Sequence, residues 1–174
     1  MAFQGNLDGL CGPYAIVNAL AYCGMSGREE EMFIAACSSP SIRRWPNLLW
    51  EGTTFGDLQR MLTMCLSLPG ARDTVRVFYP FLQFVPTTNA DFWISFDEFF
   101  AEEDTRCVIL RMTKPSHHWI VAFREPGSTR ISFLDSDPFK PSLRKNRTNI
   151  FAGDRRHRAT QWLIDRRDVI VFKA

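Results

Sequence analysis

The chain has 174 residues, 45% of them apolar, and 21 Lys and Arg against 19 Asp and Glu leave a formal charge of +2. At roughly 100–200 residues per domain, residues 1–174 read as one domain with a core of its own, and the charge excludes the dense basic excess of a non-specific nucleic-acid binder. Five cysteines without a Cys-x-x-Cys pair argue against a disulfide framework and a zinc knuckle.

In chain order, Cys11 to Gly24 predicts a first helix, with Pro13 tolerated in its first turn and Gly24 supplying the stop. Arg28 to Cys37 predicts a second, opened by Glu29, Glu30 and Glu31 where negative charge suits the helix dipole. Ser38 to Glu51, which contains Pro40 and Pro46, reads as irregular. Thr54 and Asp57 open a third helix in which Phe55, Leu58, Met61, Leu62 and Cys65 keep helical spacing up to Leu68-Pro69-Gly70. Thr74 to Tyr79 reads as a strand, followed by a short apolar piece between Pro80 and Pro86 that is an edge or a loop. Ser95 with Glu98 makes a capping-box pattern for a Phe-rich helix to Glu102.

The remainder is mostly strand: Cys107 to Met112, Trp119 to Phe123, Arg130 to Leu134 and Asp168 to Lys173, with a short turn joining the middle two as an antiparallel hairpin. Arg144 to Arg158 is charge-rich and reads as a solvated loop. Helices first and strands last predict an α+β domain, an N-terminal helical layer packed on a C-terminal antiparallel sheet. The longest apolar runs are far short of the ~20 residues that span a bilayer. MAFQGNLDG lacks the features of a secretory signal, so the expected location is the cytoplasm. A secreted effector acting in a host cytosol would read the same way.

Cys11 stands at the start of the first predicted helix, flanked by Gly9 and by Gly12-Pro13. Backbone N–H groups and the dipole at that position favour a thiolate, and the glycines are expected to leave the sulfur reachable. Such a nucleophile needs an imidazole to exchange protons with the leaving group, and His117 and His118 sit directly before a predicted strand. A third group must orient the ring. Asp135 ends the next strand, and in an antiparallel hairpin the end of the second strand lies beside the start of the first, which brings Asp135 toward His118. Taken alone, Cys11 reads as a buried structural thiol ahead of a nucleophile; the other two residues shift the weight to a nucleophile. Cys23, Cys37, Cys65 and Cys107 read as core, His157 as solvated, Asp8 as a helix cap, and Trp45, Trp50 and Trp93 as core packing ahead of substrate contact.

LDGLCGPYAIVNAL resembles the nucleophile segment of papain-like cysteine peptidases, and HHWIVAF followed by RISFLDSD resembles their histidine strand and the strand delivering an Asp or Asn. Within that superfamily the pattern is similar to bacteriocin-processing (C39-like) peptidases and to Josephin deubiquitinases. The HW and LDS runs also look like Ulp-type proteases, but those place the nucleophile near the C-terminus, and no Cys follows Cys107 here. The resemblance implies that His118, directly before Trp119, is the catalytic histidine, with His117 as the alternative. It implies a side-chain amide in the oxyanion hole, from Gln4 or from Asn6 in its place. Asp135 is the third member favoured, with Asp137, which precedes Pro138 as in C39-like sequences, as the alternative.

The implied reaction is hydrolysis of a peptide or isopeptide bond in a protein or peptide substrate, ubiquitin-like proteins among them, with no metal or organic cofactor. Glutamine deamidation or transglutamination by an effector toxin uses the same thioester and stands as the alternative enzyme. A catalytically inactive binding module that uses the Arg-rich segment is the alternative without chemistry.

Overall fold

Capping residues and tertiary packing together decide where the elements begin in the computed structural model, which describes residues 9–124, 128, 130–136, 142–155 and 158–174. Helix α1, Cys11–Leu20, starts with no side-chain cap and runs into a π-helical turn at Ala21–Met25, where Gly24 takes a left-handed φ of 108°. After α2, Glu29–Ser38, the stretch expected to be irregular holds a 3-10 turn, Ile42–Arg44, and helix α3, Trp45–Glu51. Pro46 lies in the first turn of α3, where its missing N–H breaks no intrahelical bond, so it starts this helix rather than interrupting one. Helix α4, Phe55–Cys65, is opened as expected by Thr54 and Asp57, which form a reciprocal cap.

A short helix α5, Ala71–Thr74, precedes strand β1, Arg76–Phe78, so the strand expected from Thr74 begins later. Helix α6, Asn89–Ala101, begins well before the Ser95 and Glu98 pattern, which falls in its interior. Its cap is Thr88 with Asp91, the aspartate doing from a shorter side chain what Glu does in the usual pattern. Strands β2, Thr105–Lys114, β3, His118–Phe123, and β4, Arg130–Leu134, follow. Strands β5, Ser142–Asn146, and β6, Ile150–Ala152, occupy part of the segment read as a solvated loop. Strand β7 spans Trp162–Lys173, longer than the expected Asp168 to Lys173.

The strands form one sheet in the order β1-β7-β2-β3-β4-β5, with β6 also paired to β7. All pairings are antiparallel except β6 with β7, which is parallel, so the sheet is not wholly antiparallel. The two-layer expectation also needs correction, because alternation along the central strands sends apolar side chains to both faces. Cys107, Ile109, Trp119, Val121, Ile170 and Phe172 pack with Ile16, Leu20, Met32, Leu58 and Leu62 of α1, α2 and α4. Val108, Leu110, Ile120, Ala122, Phe133 and Val169 pack with Phe92, Trp93 and Phe96 of α6 on the other face. The architecture is therefore α+β with helices on both sides of a mostly antiparallel sheet. Among the described residues, no helix is long and apolar enough to cross a membrane.

Helix α1 lies along β3 and against α4. Its approach to the residues before α4 depends on Gly12, where an added Cβ would lie 2.0 Å from Thr53 Oγ1 and 2.6 Å from Leu58 Cδ1. Gly12→Ala should cost about 1–3 kcal/mol through overpacking, read as a lowered urea midpoint. Thr53→Ala in the same chain should restore part of it. An unchanged midpoint in Gly12→Ala would contradict this packing.

Candidate active site

Three elements bring Cys11, His118 and Asp135 together. Cys11 is the first residue of α1, so its N–H stands outside the helix's internal hydrogen-bond ladder, at the positive end of the helix. The segment before it is strapped to the end of α3: Gly9 N donates to Leu49 O at 2.9 Å. A Cβ on Gly9 would lie 2.8 Å from both Leu48 O and Leu49 O. The expected reason for the glycine flanks was access to the sulfur. The structure gives another, close backbone and side-chain approach on both sides of a cysteine only 7% exposed.

His118 opens β3 and Asp135 follows the last residue of β4. Val121 pairs with Leu134, and the same register carried on sets Ile120 opposite Asp135. His118 and Asp135 therefore lie at the same end of the hairpin, past its last paired residues. His118 Nε2 lies 2.6 Å from Asp135 Oδ1. Cys11 is near enough to the ring to act on its charge, since it is among the groups that raise the His118 pKa.

Strict alternation would not have selected His118. Trp119 and Val121 face the α1 side, whereas Ile120 and Ala122 face α6, so the rule turns His118 away from Cys11. His118 pairs with Met112. On both sides of Met112 the pairing of β2 with β7 slips register, between Leu110 and Met112 and between Met112 and Lys114. Such irregularities raise local twist and re-aim side chains at a sheet's end. His117 is exposed and lies just outside β3. Asp137, Gln4, Asn6, Asp8 and His157 lie outside the described residues.

Burial opposes charge on His118, but its hydrogen bonds to Asp135 and Cys11, together with their negative charge, outweigh that and push its pKa up to about 10. The ring is 15% exposed and Asp135 is buried, so solvent screens the pair weakly. A pKa raised to about 10 favours the protonated ring at neutral pH, with the N–H on Nε2 held by the carboxylate.

Sequence reasoning missed what fixes the spacing between α1 and β3. The buried Trp119 donates from Nε1 to Thr53 O at 2.9 Å and stacks on Phe55, with ring centroids 6.2 Å apart. Thr53 is the residue against which Gly12 rests. Arg111 lies 5.8 Å over the Trp119 ring while donating to Asp168 at 2.9 Å. Among the described residues, the buried Thr53 hydroxyl has no hydrogen-bond partner. The Trp119 next to His118 was the available signal, read as part of a family pattern rather than as an anchor. Trp93 is core as expected, whereas Trp50 is 81% exposed, against the core reading. Cys23, Cys65 and Cys107 are buried, and Cys37 is half-buried.

Comparison with protein-family models, with curated proteins and with solved structures gives no match.

A folded pKa of about 10 against 6.5 for a free imidazole means that the folded state holds the proton more tightly. The resulting stabilisation is complete below pH 6.5 and is lost as pH rises through about 10. Asp135→Asn removes the charge that contributes to this shift. The gap in unfolding free energy between wild type and Asp135→Asn should therefore narrow across that window in urea titrations. A gap independent of pH would contradict the pairing.

Proposed function

We propose that the protein is a papain-like cysteine hydrolase that cleaves a peptide or isopeptide amide through a Cys11, His118 and Asp135 triad. The observation that carries this reading is a single imidazole whose Nε2 lies 2.6 Å from the buried Asp135 carboxylate and whose raised pKa has Cys11, at the start of α1, among its causes. A thiol at a helix start, an imidazole beside it and a carboxylate behind the ring are the parts that nucleophilic acyl transfer requires.

In this mechanism the Cys11 thiolate attacks the amide carbonyl carbon. The carbonyl π pair moves onto oxygen, where the Cys11 N–H at the start of α1 offers a donor, and the side chain of Gln4 or Asn6 is proposed as the second. As the tetrahedral intermediate collapses, the imidazolium of His118 gives its proton to the departing amine, the C–N bond breaks and a thioester remains on Cys11. Neutral His118 then takes a proton from water, hydroxide adds to the thioester, and the acid leaves as the thiolate is restored. Asp135 keeps the ring oriented and stabilises its charged form through both steps. The substrate class is protein or peptide, including ubiquitin-like proteins.

The test is incubation with a mixed peptide library and mass-spectrometric reading of the products. Wild type should generate new termini that are absent with Cys11→Ala and reduced by about 10²-fold or more with His118→Ala. Glutamine converted to glutamate, with no new termini, would replace hydrolysis of the chain by deamidation. Equal products from wild type and Cys11→Ala would contradict the reading.

A further inference from the structure

Four of the five cysteines take no part in the proposed reaction, and two of these touch. Cys23 Sγ lies 3.9 Å from Cys107 Sγ, both side chains being buried, although the residues are 84 apart in sequence. The contact joins the π-helical turn at the end of α1 to strand β2. Another contact of the Cys107 sulfur, with Ala19 O, is also 3.9 Å long. Neither is a short bond that would tie the thiol down. Cys65 differs, because its sulfur donates to Met32 O at 3.3 Å.

A disulfide has its sulfurs at about 2.05 Å, so the pair has about 1.9 Å to close, part of which rotation about the two Cα–Cβ bonds supplies. The backbone is irregular where the remainder is needed. Cys23 stands directly before Gly24, which takes a left-handed φ of 108°, and the pairing of β2 with β7 slips between Thr105 and Cys107. Such breaks shift at lower cost than the middle of a regular element.

We propose that Cys23 and Cys107 form a redox-sensitive dithiol that closes to a disulfide under a peroxide and locks the end of α1 to the sheet. Cys23, 5% exposed, is the sulfur that a small oxidant reaches, whereas Cys107 is fully buried and kept as a thiol by burial and by its neighbour. The Cys23 thiolate attacks one oxygen of hydrogen peroxide, the O–O bond breaks, and hydroxide leaves to be neutralised by the proton that Cys23 released. The Cys107 sulfur then attacks the resulting sulfenic sulfur, the S–O bond breaks, and water departs with the Cys107 proton. Together the sulfurs give up two electrons and peroxide is reduced to two waters. The start of α1 is already held by the packing of Gly12 on Thr53, so the new bond fixes the helix at both ends.

The test uses the whole chain, as wild type and as Cys11→Ala, in which the proposed nucleophile cannot exchange with the pair. Folded protein is treated with hydrogen peroxide, the remaining thiols are blocked with N-ethylmaleimide during denaturation, and the unreduced digest is read by mass spectrometry. Both proteins should give, as the predominant cross-link, the Cys23 and Cys107 peptides joined with the loss of two hydrogens. The oxidised chain should unfold at a urea midpoint higher by about 1 M or more, because the bond constrains the unfolded chain over a long loop. Dithiothreitol should abolish the increase, Cys107→Ala should never show it, and Cys37→Ala should keep it. The wild-type cross-link and its reversal are read without any variant, so misfolding of Cys107→Ala leaves the test decisive. Sulfurs left as free thiols or carried on to sulfinic acid, or a predominant link between other cysteines, overturns the proposal. A Cys23–Cys107 link that leaves the midpoint unchanged or lowers it overturns the lock. None of these outcomes bears on the hydrolase reading.

Discussion

The contact between Gly12 and Thr53, with the Trp119 indole bonded to the same residue, is the constraint on which the rest of the site depends. Cys11 belongs to a helix and His118 to a sheet, and nothing in either element's local geometry sets their separation. Thr53 supplies it, because one of its faces receives the glycine after Cys11 and its carbonyl receives the indole of the residue after His118. A side chain at Gly12 would push the helix outward, and loss of the indole bond would free the strand.

Electrostatics act on that frame. His118 carries charge in a place that burial makes unfavourable, and it does so because a buried carboxylate and the cysteine flank the ring. The pair belongs to the folded chain, since Asp135 and His118 meet through the antiparallel pairing of β3 with β4 rather than through nearness in sequence. Covering both faces of the sheet adds rigidity: α1, α2 and α4 fix the side that holds Cys11, and α6 fills the other.

Much of this was legible from residue pattern. The α1 start, the α4 cap and the β3–β4 hairpin follow from capping chemistry, helical spacing and short-range turn signals, and the first and last of them carry all three residues of the proposed triad. What escaped was tertiary in origin. Pro46 looks like a breaker until its place in the first turn of α3 is known. In β5, Lys145 lies with its ammonium 4.4 Å over the Trp162 ring, so a charged side chain covers apolar surface and the strand reads as solvated. The parallel pairing of β6 is a long-range choice that no local signal announces. The orientation of His118 also runs against alternation, and the register slips nearest to it lie between two other strands, where no local signal in β3 announces them.

The central claim is that Cys11 and His118 act as one acid–base unit. The most direct measurement is the rate of Cys11 alkylation by iodoacetamide from about pH 4 to about pH 9, in wild type and in His118→Ala, read by peptide mass spectrometry. The account predicts a wild-type rate that stays high below about pH 7 and collapses there in the variant. A rate that follows an ordinary thiol titration in both proteins would contradict it.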